Sequence, residues 1–137
     1  MGNVVEHSLI TDERLLSRLV VYKKAIVELQ EPRSISKELA DNLLTRRPNR
    51  RSMKLEQIFN TVLDRYPDGV TIKDIDVLFN PAYKVDVLKI LISARKRKRY
   101  CVIWPGEFED GKLIYGEEGY ADYKVYNIAD YDITFIK

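Results

Sequence analysis

Apolar side chains recur every three or four residues through most of the chain and every two residues near its end, two periods that predict helices and strands respectively. Thr11 suits a helix N-cap, Asp12 and Glu13 suit the positive end of a helix dipole, and Leu15, Leu19, Tyr22, Ile26 and Leu29 follow at four-three spacing. That pattern predicts an amphipathic helix over 12–30. The same stretch, RLVVYKKAIVEL, also reads as holding a strand, because Val20, Val21, Ile26 and Val27 are β-branched. Pro32 ends either version.

Ser34 or Ser36 then caps a second helix carrying Ile35, Leu39 and Leu43. TRRPNRRS reads as a loop, and Ser52 caps a third helix in which Leu55, Ile58, Phe59, Val62 and Tyr66 form one stripe. After the turn YPDG, the alternation in VTIKDIDVLF predicts a strand from residue 70 followed by a bend. Asn80 and Pro81 are a start signal for a fourth helix over 82–97. Val85, Val87, Leu88, Ile90, Leu91 and Ile92 make it apolar around most of its girth, so it is expected to be packed on two sides. The unbroken run YCVIW, stopped by PG, predicts a strand covered on both faces. An Asp-Gly turn in FEDGKLIY and the alternation in YADYKVYNIADYDITFIK predict short strands at the end.

These elements predict one α/β domain over 1–137, with a helical segment near 11–30 and a three-layer, mostly parallel sheet flanked by helices. An α+β winged helix is the alternative, with YCVIW and KLIYG as the wing and the helix at 82–97 as the reading helix. The layered sheet is favoured, because that helix is too apolar to present a reading face and CVIWPG is too hydrophobic for a wing half in water.

Composition narrows the function classes. An apolar fraction of 45% with 32% charged residues fits a folded globular chain and argues against disorder. No run approaches the ~18 apolar residues a membrane span needs, and the start lacks a basic region before an apolar one, so a cytoplasmic protein without a membrane partner is expected. The single cysteine, Cys101, reads as a buried small hydrophobe, and a single histidine, His7, gives zinc sites and histidine triads no basis. There is no G-x-x-x-x-G-K-[ST] loop, and no Ser, Thr or Lys has an evident activating partner. Neither catalysis nor a cofactor or metal is expected of the chain alone. Asp74 and Asp76, two apart in an extended segment, would share a side, but Lys73 and Lys84 are available to pair with them.

Charge is distributed unevenly. Residues 1–104 carry 20 basic and 13 acidic side chains, a balance of +7, whereas 105–137 carry 3 and 8, a balance of −5. Two clusters stand out: Arg46, Arg47, Arg50 and Arg51 in the second inter-helix segment, and Arg95, Lys96, Arg97, Lys98 and Arg99 where the fourth helix should end. Facing one side they would neutralise several phosphates; otherwise they form a solvated face or meet an acidic protein. Cations at a helix C-terminus also favour the carbonyl end of the dipole, which accounts for one or two of the five. Tyr100, Trp104, Tyr115, Tyr120, Tyr123, Tyr126 and Tyr131 are the wrong company for stacked bases, since most lie in the acidic third; they are expected to pack the core.

Over residues 34–127, the blocks ISKELADNLL, DIDVLFNP, VDVLKILISAR, VIWPG and GKLIYGEEGYADYKVY, with the Arg-rich loop after the first, resemble in content and spacing the small P-loop subunit, BrxF, of bacteriophage-exclusion (BREX) defence systems. The resemblance implies a P-loop-type parallel sheet, a cytoplasmic prokaryotic anti-phage role and work within a multi-subunit complex. The chain departs from the family in two places. RLVVY runs straight into KKAIVELQ with no phosphate loop, and Lys73, followed by Asp74, stands where a magnesium-linked Asp belongs. Without the cradle and its Lys, hydrolysis of ATP does not carry over. The expectation is a non-catalytic, protein-binding subunit of a defence complex that contacts nucleic acid through its basic clusters, with a winged-helix transcriptional regulator as the alternative.

Overall fold

The computed structural model describes residues 2–5, 18–23 and 31–137. In chain order these form β1 (Asn3–Val5), β2 (Leu19–Tyr22), β3 (Arg33–Ser34), α1 (Ser36–Leu44), α2 (Pro48–Leu63), β4 (Val70–Lys73), α3 (Val87–Arg97), β5 (Tyr100–Ile103), β6 (Glu107–Glu109), β7 (Lys112–Tyr115), β8 (Lys124–Asn127) and β9 (Ile133–Ile136). Short 3-10 turns occupy Asp76–Phe79 and Ile128–Asp130.

Six strands make one sheet in the order β1-β9-β2-β5-β4-β3, and every pairing in it is parallel. β2 lies between β9 and β5, in register Val20 to Cys101 and Val20 to Thr134. Its four residues are all buried, which overturns the helical reading over 19–22 and realises the strand alternative. A strand paired on both edges and covered on both faces has no polar side to alternate, so β-branched Val20 and Val21 were the better signal. Residues 12–17 and 24–30 of the expected helix lie outside the described residues, as do Thr11 and His7.

Strand alternation sorts the core into two faces. Leu19, Val21, Val70, Ile72, Tyr100, Val102, Ile133 and Phe135 join Leu39 and Leu43 of α1, the stripe of α2 and the apolar side of α3 in one cluster. Val20, Tyr22 and Ile136, with half-buried Val5, Cys101 and Ile103, form a smaller cluster on the opposite face. All three described helices therefore share one face. The described residues show one helical layer on the sheet, where the expectation was helices on both sides.

β5 is central, as the YCVIW run predicts, but coverage is unequal: Tyr100 and Val102 are buried, while Cys101 and Ile103 are half-buried. It pairs with β2 and β4, whereas β7 pairs with β6 and β8 in a separate antiparallel sheet. YCVIW and KLIYG thus form no wing, and α3 buries Val87, Leu88, Ile90, Leu91 and Ala94, so the winged-helix geometry is absent. In the small sheet, Asp110 and Gly111 make the two-residue turn with φ of 51° and 74°, the left-handed pair that the Asp-Gly signal predicts.

Three helix starts differ from expectation. α2 begins at Pro48, inside the supposed loop, because proline is tolerated at a first helical position whose N–H is unpaired anyway. Ser52 is then inside the helix, and its Oγ donates to the Tyr83 carbonyl at 2.7 Å. α1 has Ile35 at its N-cap with no side-chain cap, so neither Ser34 nor Ser36 serves. α3 starts at Val87, capped by Asp86, which accepts from the Lys89 amide at 3.2 Å; Asn80 instead accepts from the Ala82 amide at 3.0 Å within a turn.

Candidate functional site

The two basic clusters lie at opposite ends of α2. Arg46, Arg47, Arg50 and Arg51 surround its start, while Arg97, at the end of α3, donates to the Asn60 carbonyl at 3.3 Å and to Asp64 at 2.8 Å near its finish. At about 1.5 Å rise per residue, the clusters are roughly 15–25 Å apart along the helix. They do not build a single face.

Several of these cations are engaged within the fold. Arg51 is half-buried, and its Nε donates to the carbonyls of Leu43 at 2.9 Å and Arg46 at 3.2 Å, closing the end of α1 onto α2. Lys98 Nζ donates to the Tyr66 carbonyl at 2.6 Å and lies 3.6 Å from Asp68. With Arg97, these side chains join elements that sequence alone leaves apart. Arg95 and Lys96 line an open depression of about 300 Å³ together with Arg18 and Asp132, and Arg18 pairs with Asp132 at 3.0 Å. Arg99 is exposed, and its carbonyl accepts from the Gly69 amide.

Arg46, Arg47 and Arg50 are exposed, and with Thr45 and Lys54 they line a second open depression of about 350 Å³. No carboxylate lines it. Arg47 occupies the N-cap of α2 without a side-chain cap, so the positive end of a 16-residue helix lies within the same cluster. Lys54 was missed by sequence reasoning. Its signal was there: Arg47, Arg50 and Lys54 follow at three- and four-residue steps, one face of a helix once the helix is known to start at Pro48.

The aromatic residues behave as packing groups. Trp104, directly after β5, is 3% exposed; its Nε1 donates to the Ile114 carbonyl at 3.0 Å, and its ring meets Phe79 and Tyr126 edge-on. Tyr115 stacks on Phe79 with centroids 3.8 Å apart, and Tyr131 meets Tyr126 at 5.7 Å. This cluster fills the space at the carboxyl ends of β4 and β5, beneath the small antiparallel sheet. Tyr100 is buried in the core, its hydroxyl on the Leu91 carbonyl. Two depart from this: Tyr120 is exposed, and half-buried Tyr123 joins neither core cluster.

Asp74 and Asp76 are not a pair on one extended edge. Asp74 sits in left-handed backbone at φ 61°, and Asp76 opens a 3-10 turn and accepts from the Tyr115 hydroxyl at 3.0 Å. Burial, then the Asp76 contact, push the Tyr115 phenol up to about 12. Burial also raises the Cys101 thiol, with nearby Arg95 opposing it, so the thiolate is disfavoured.

No described helix is long and apolar enough to cross a membrane. No family model, curated protein or solved structure matches the chain.

Proposed function

We propose that this chain is a non-catalytic, protein-binding subunit of a larger assembly, of the prokaryotic anti-phage kind that its resemblance to BrxF implies, built on a P-loop-like sheet whose nucleotide chemistry is lost. The observation that carries the reading is the aromatic filling at the carboxyl ends of β4 and β5. Parallel α/β sheets hold their ligands in the crevice outside those ends. Here Phe79, Trp104, Tyr115 and Tyr126 occupy it, and Tyr115 holds the Asp76 carboxylate. β4 ends on Lys73, a cation where a magnesium ligand would have to be an oxygen donor. The resemblance implies a parallel sheet, and the parallel pairing throughout the six-stranded sheet is what supports that part of the reading.

Calorimetric titration with a non-hydrolysable ATP analogue and magnesium tests the non-catalytic part. No heat of binding is expected at micromolar protein; magnesium-dependent micromolar binding overturns it. Affinity capture of the tagged chain, expressed with its own neighbouring genes, tests the assembly part. One or more larger neighbours should co-purify in fixed stoichiometry, and recovery of the chain by itself counts against the reading.

A further inference from the structure

We infer that the tip of the α1–α2 hairpin grips the phosphate backbone of double-stranded nucleic acid through Arg46, Arg47, Arg50 and Lys54, independently of sequence, and that the cluster at 95–99 takes no part. The inference deepens the nucleic-acid element of the subunit expectation and narrows it to one end of the molecule.

Four observations carry it. The depression lined by these side chains contains no carboxylate, and the neighbouring Asp41 of α1 is held by Lys37 at 3.0 Å. Arg47, Arg50 and Lys54 repeat along one face of α2 with axial steps of about 4.5 and 6 Å, which together match the run of several phosphates on a duplex bearing one charge per ~1.7 Å of axis. The positive end of α2 lies among them, and phosphates are favoured there. Arg51, bonded to the Leu43 and Arg46 carbonyls, ties the backbone of the tip before anything binds, so the ordering cost of contact falls on the side chains alone.

Duplex is favoured over other polyanions by what surrounds the cations. Single-strand binders stack bases on aromatic side chains, and none lines this depression. Protein interfaces have a centre of apolar residues, whereas every residue lining this depression is polar or charged; exposed Leu44 and Met53 flank it in sequence, and Met53 belongs to a different depression with Val85 and Ile90. With Arg51, Arg97 and Lys98 committed to internal contacts, the tip is a place among the described residues where cations gather with no carboxylate in the lining.

The test is fluorescence anisotropy with two labelled 25-base-pair duplexes of unrelated sequence, titrated between 50 and 200 mM salt. Four neutralised phosphates predict a slope of about −3.6 for log affinity against log salt, roughly a hundredfold loss over that range, with both duplexes bound alike. Arg46→Gln, Arg47→Gln, Arg50→Gln and Lys54→Gln combined should weaken binding at least tenfold and flatten the slope. The double variant Arg47→Gln with Arg50→Gln, a milder change to exposed side chains, should reduce the slope by about 2. The control Arg95→Gln, Lys96→Gln and Arg99→Gln should stay within about threefold of the parent chain. The inference is overturned if the parent chain leaves both duplexes unbound at 50 mM salt, if the tip variants bind as tightly as the parent, or if the control loses as much. Tighter binding of poly-glutamate than of duplex also overturns it, giving the tip to an acidic protein. Failure of the co-purification experiment leaves these titrations unaffected, so the two readings fail separately.

Discussion

Arg97 donates to the Asp64 carboxylate at 2.8 Å, joining the last turn of α3 to the last turn of α2. A residue that charge alone assigns to a ligand is thereby a joint between two helices. The pair is half in water, with side-chain exposures of 45% and 52%, so its strength is that of a surface ion pair.

Arg97→Gln should accordingly lower stability by about 0.2–1 kcal/mol, and Asp64→Asn by a similar amount. The double variant should cost less than the two added together, because both singles break the same contact. Urea denaturation of the four proteins gives the coupling, which should shrink in high salt. Additive losses would show that the contact contributes nothing, leaving Arg97 to act through its bond to the Asn60 carbonyl.

Trp104 is the sole tryptophan of the chain and therefore reports on its own environment. Buried at 3% exposure, it should emit at short wavelength and resist iodide quenching until urea unfolds the protein. Gly106→Ala places a Cβ 2.0 Å from the Ile114 carbonyl oxygen and 3.0 Å from Trp104 Nε1. Relieving that clash must displace the strand or the indole. A loss of about 1–3 kcal/mol is expected, together with a red shift in the folded state. An unchanged spectrum and midpoint would mean that the Trp104 bond to Ile114 is not what closes the small sheet over β5.

The same residues show what the sequence makes legible. Trp104 and the apolar girth of α3 announce burial because nothing but a core suits them, and the Asp-Gly turn announces itself because few residues accept paired left-handed backbone. β2 is harder. Leu15, Leu19, Tyr22, Ile26 and Leu29 satisfy a helical repeat, yet residues 19–22 are a strand, since parallel pairing on both edges is a long-range event that local spacing does not encode. The start of α2 is hidden for a local reason: Pro48 and Asn49 look like loop, and the stripe of Arg47, Arg50 and Lys54 exists only when the helix is extended back to them. That the two basic clusters lie at opposite ends follows from how α2 and α3 pack, so charge counting finds the clusters and misses their separation.

Asp86 takes the helix-start role expected of Asn80 and adds a second contact. One carboxylate oxygen accepts from the Lys89 amide at the start of α3, and the other accepts from the Tyr131 hydroxyl at 2.7 Å, linking the helix to the residue that leads into β9. Asp86→Ala should cost about 0.5–2 kcal/mol from the cap alone, and more because it strands the Tyr131 hydroxyl. Asn80→Ala, which removes only a turn contact, should cost less. Thermal melts of both variants decide the order, and an inverted order would place the start of α3 back at Asn80.

The partly buried tyrosines give the fold a defined alkaline limit. Burial is the leading cause at Tyr22, Tyr115 and Tyr126, and each phenol is pushed from 10.0 up to about 12. Burial and the Asp86 contact also raise Tyr131, and burial raises Tyr100 well above the usual range. Between pH 10 and 12 the unfolded chain has therefore released protons that the native chain still holds. Stability contributed by these groups is complete below pH 10 and is lost as pH rises through about 12, because unfolding grows more favourable wherever the unfolded state binds fewer protons. Melting temperature should hold steady up to pH 10 and then fall. Tyrosinate absorbance at 295 nm, followed in native buffer and in urea, should show a late fraction in the native titration that is missing in urea. Superposed native and unfolded titrations would mean that water reaches these phenols freely, and the aromatic filling at the carboxyl ends of β4 and β5 would lose its support.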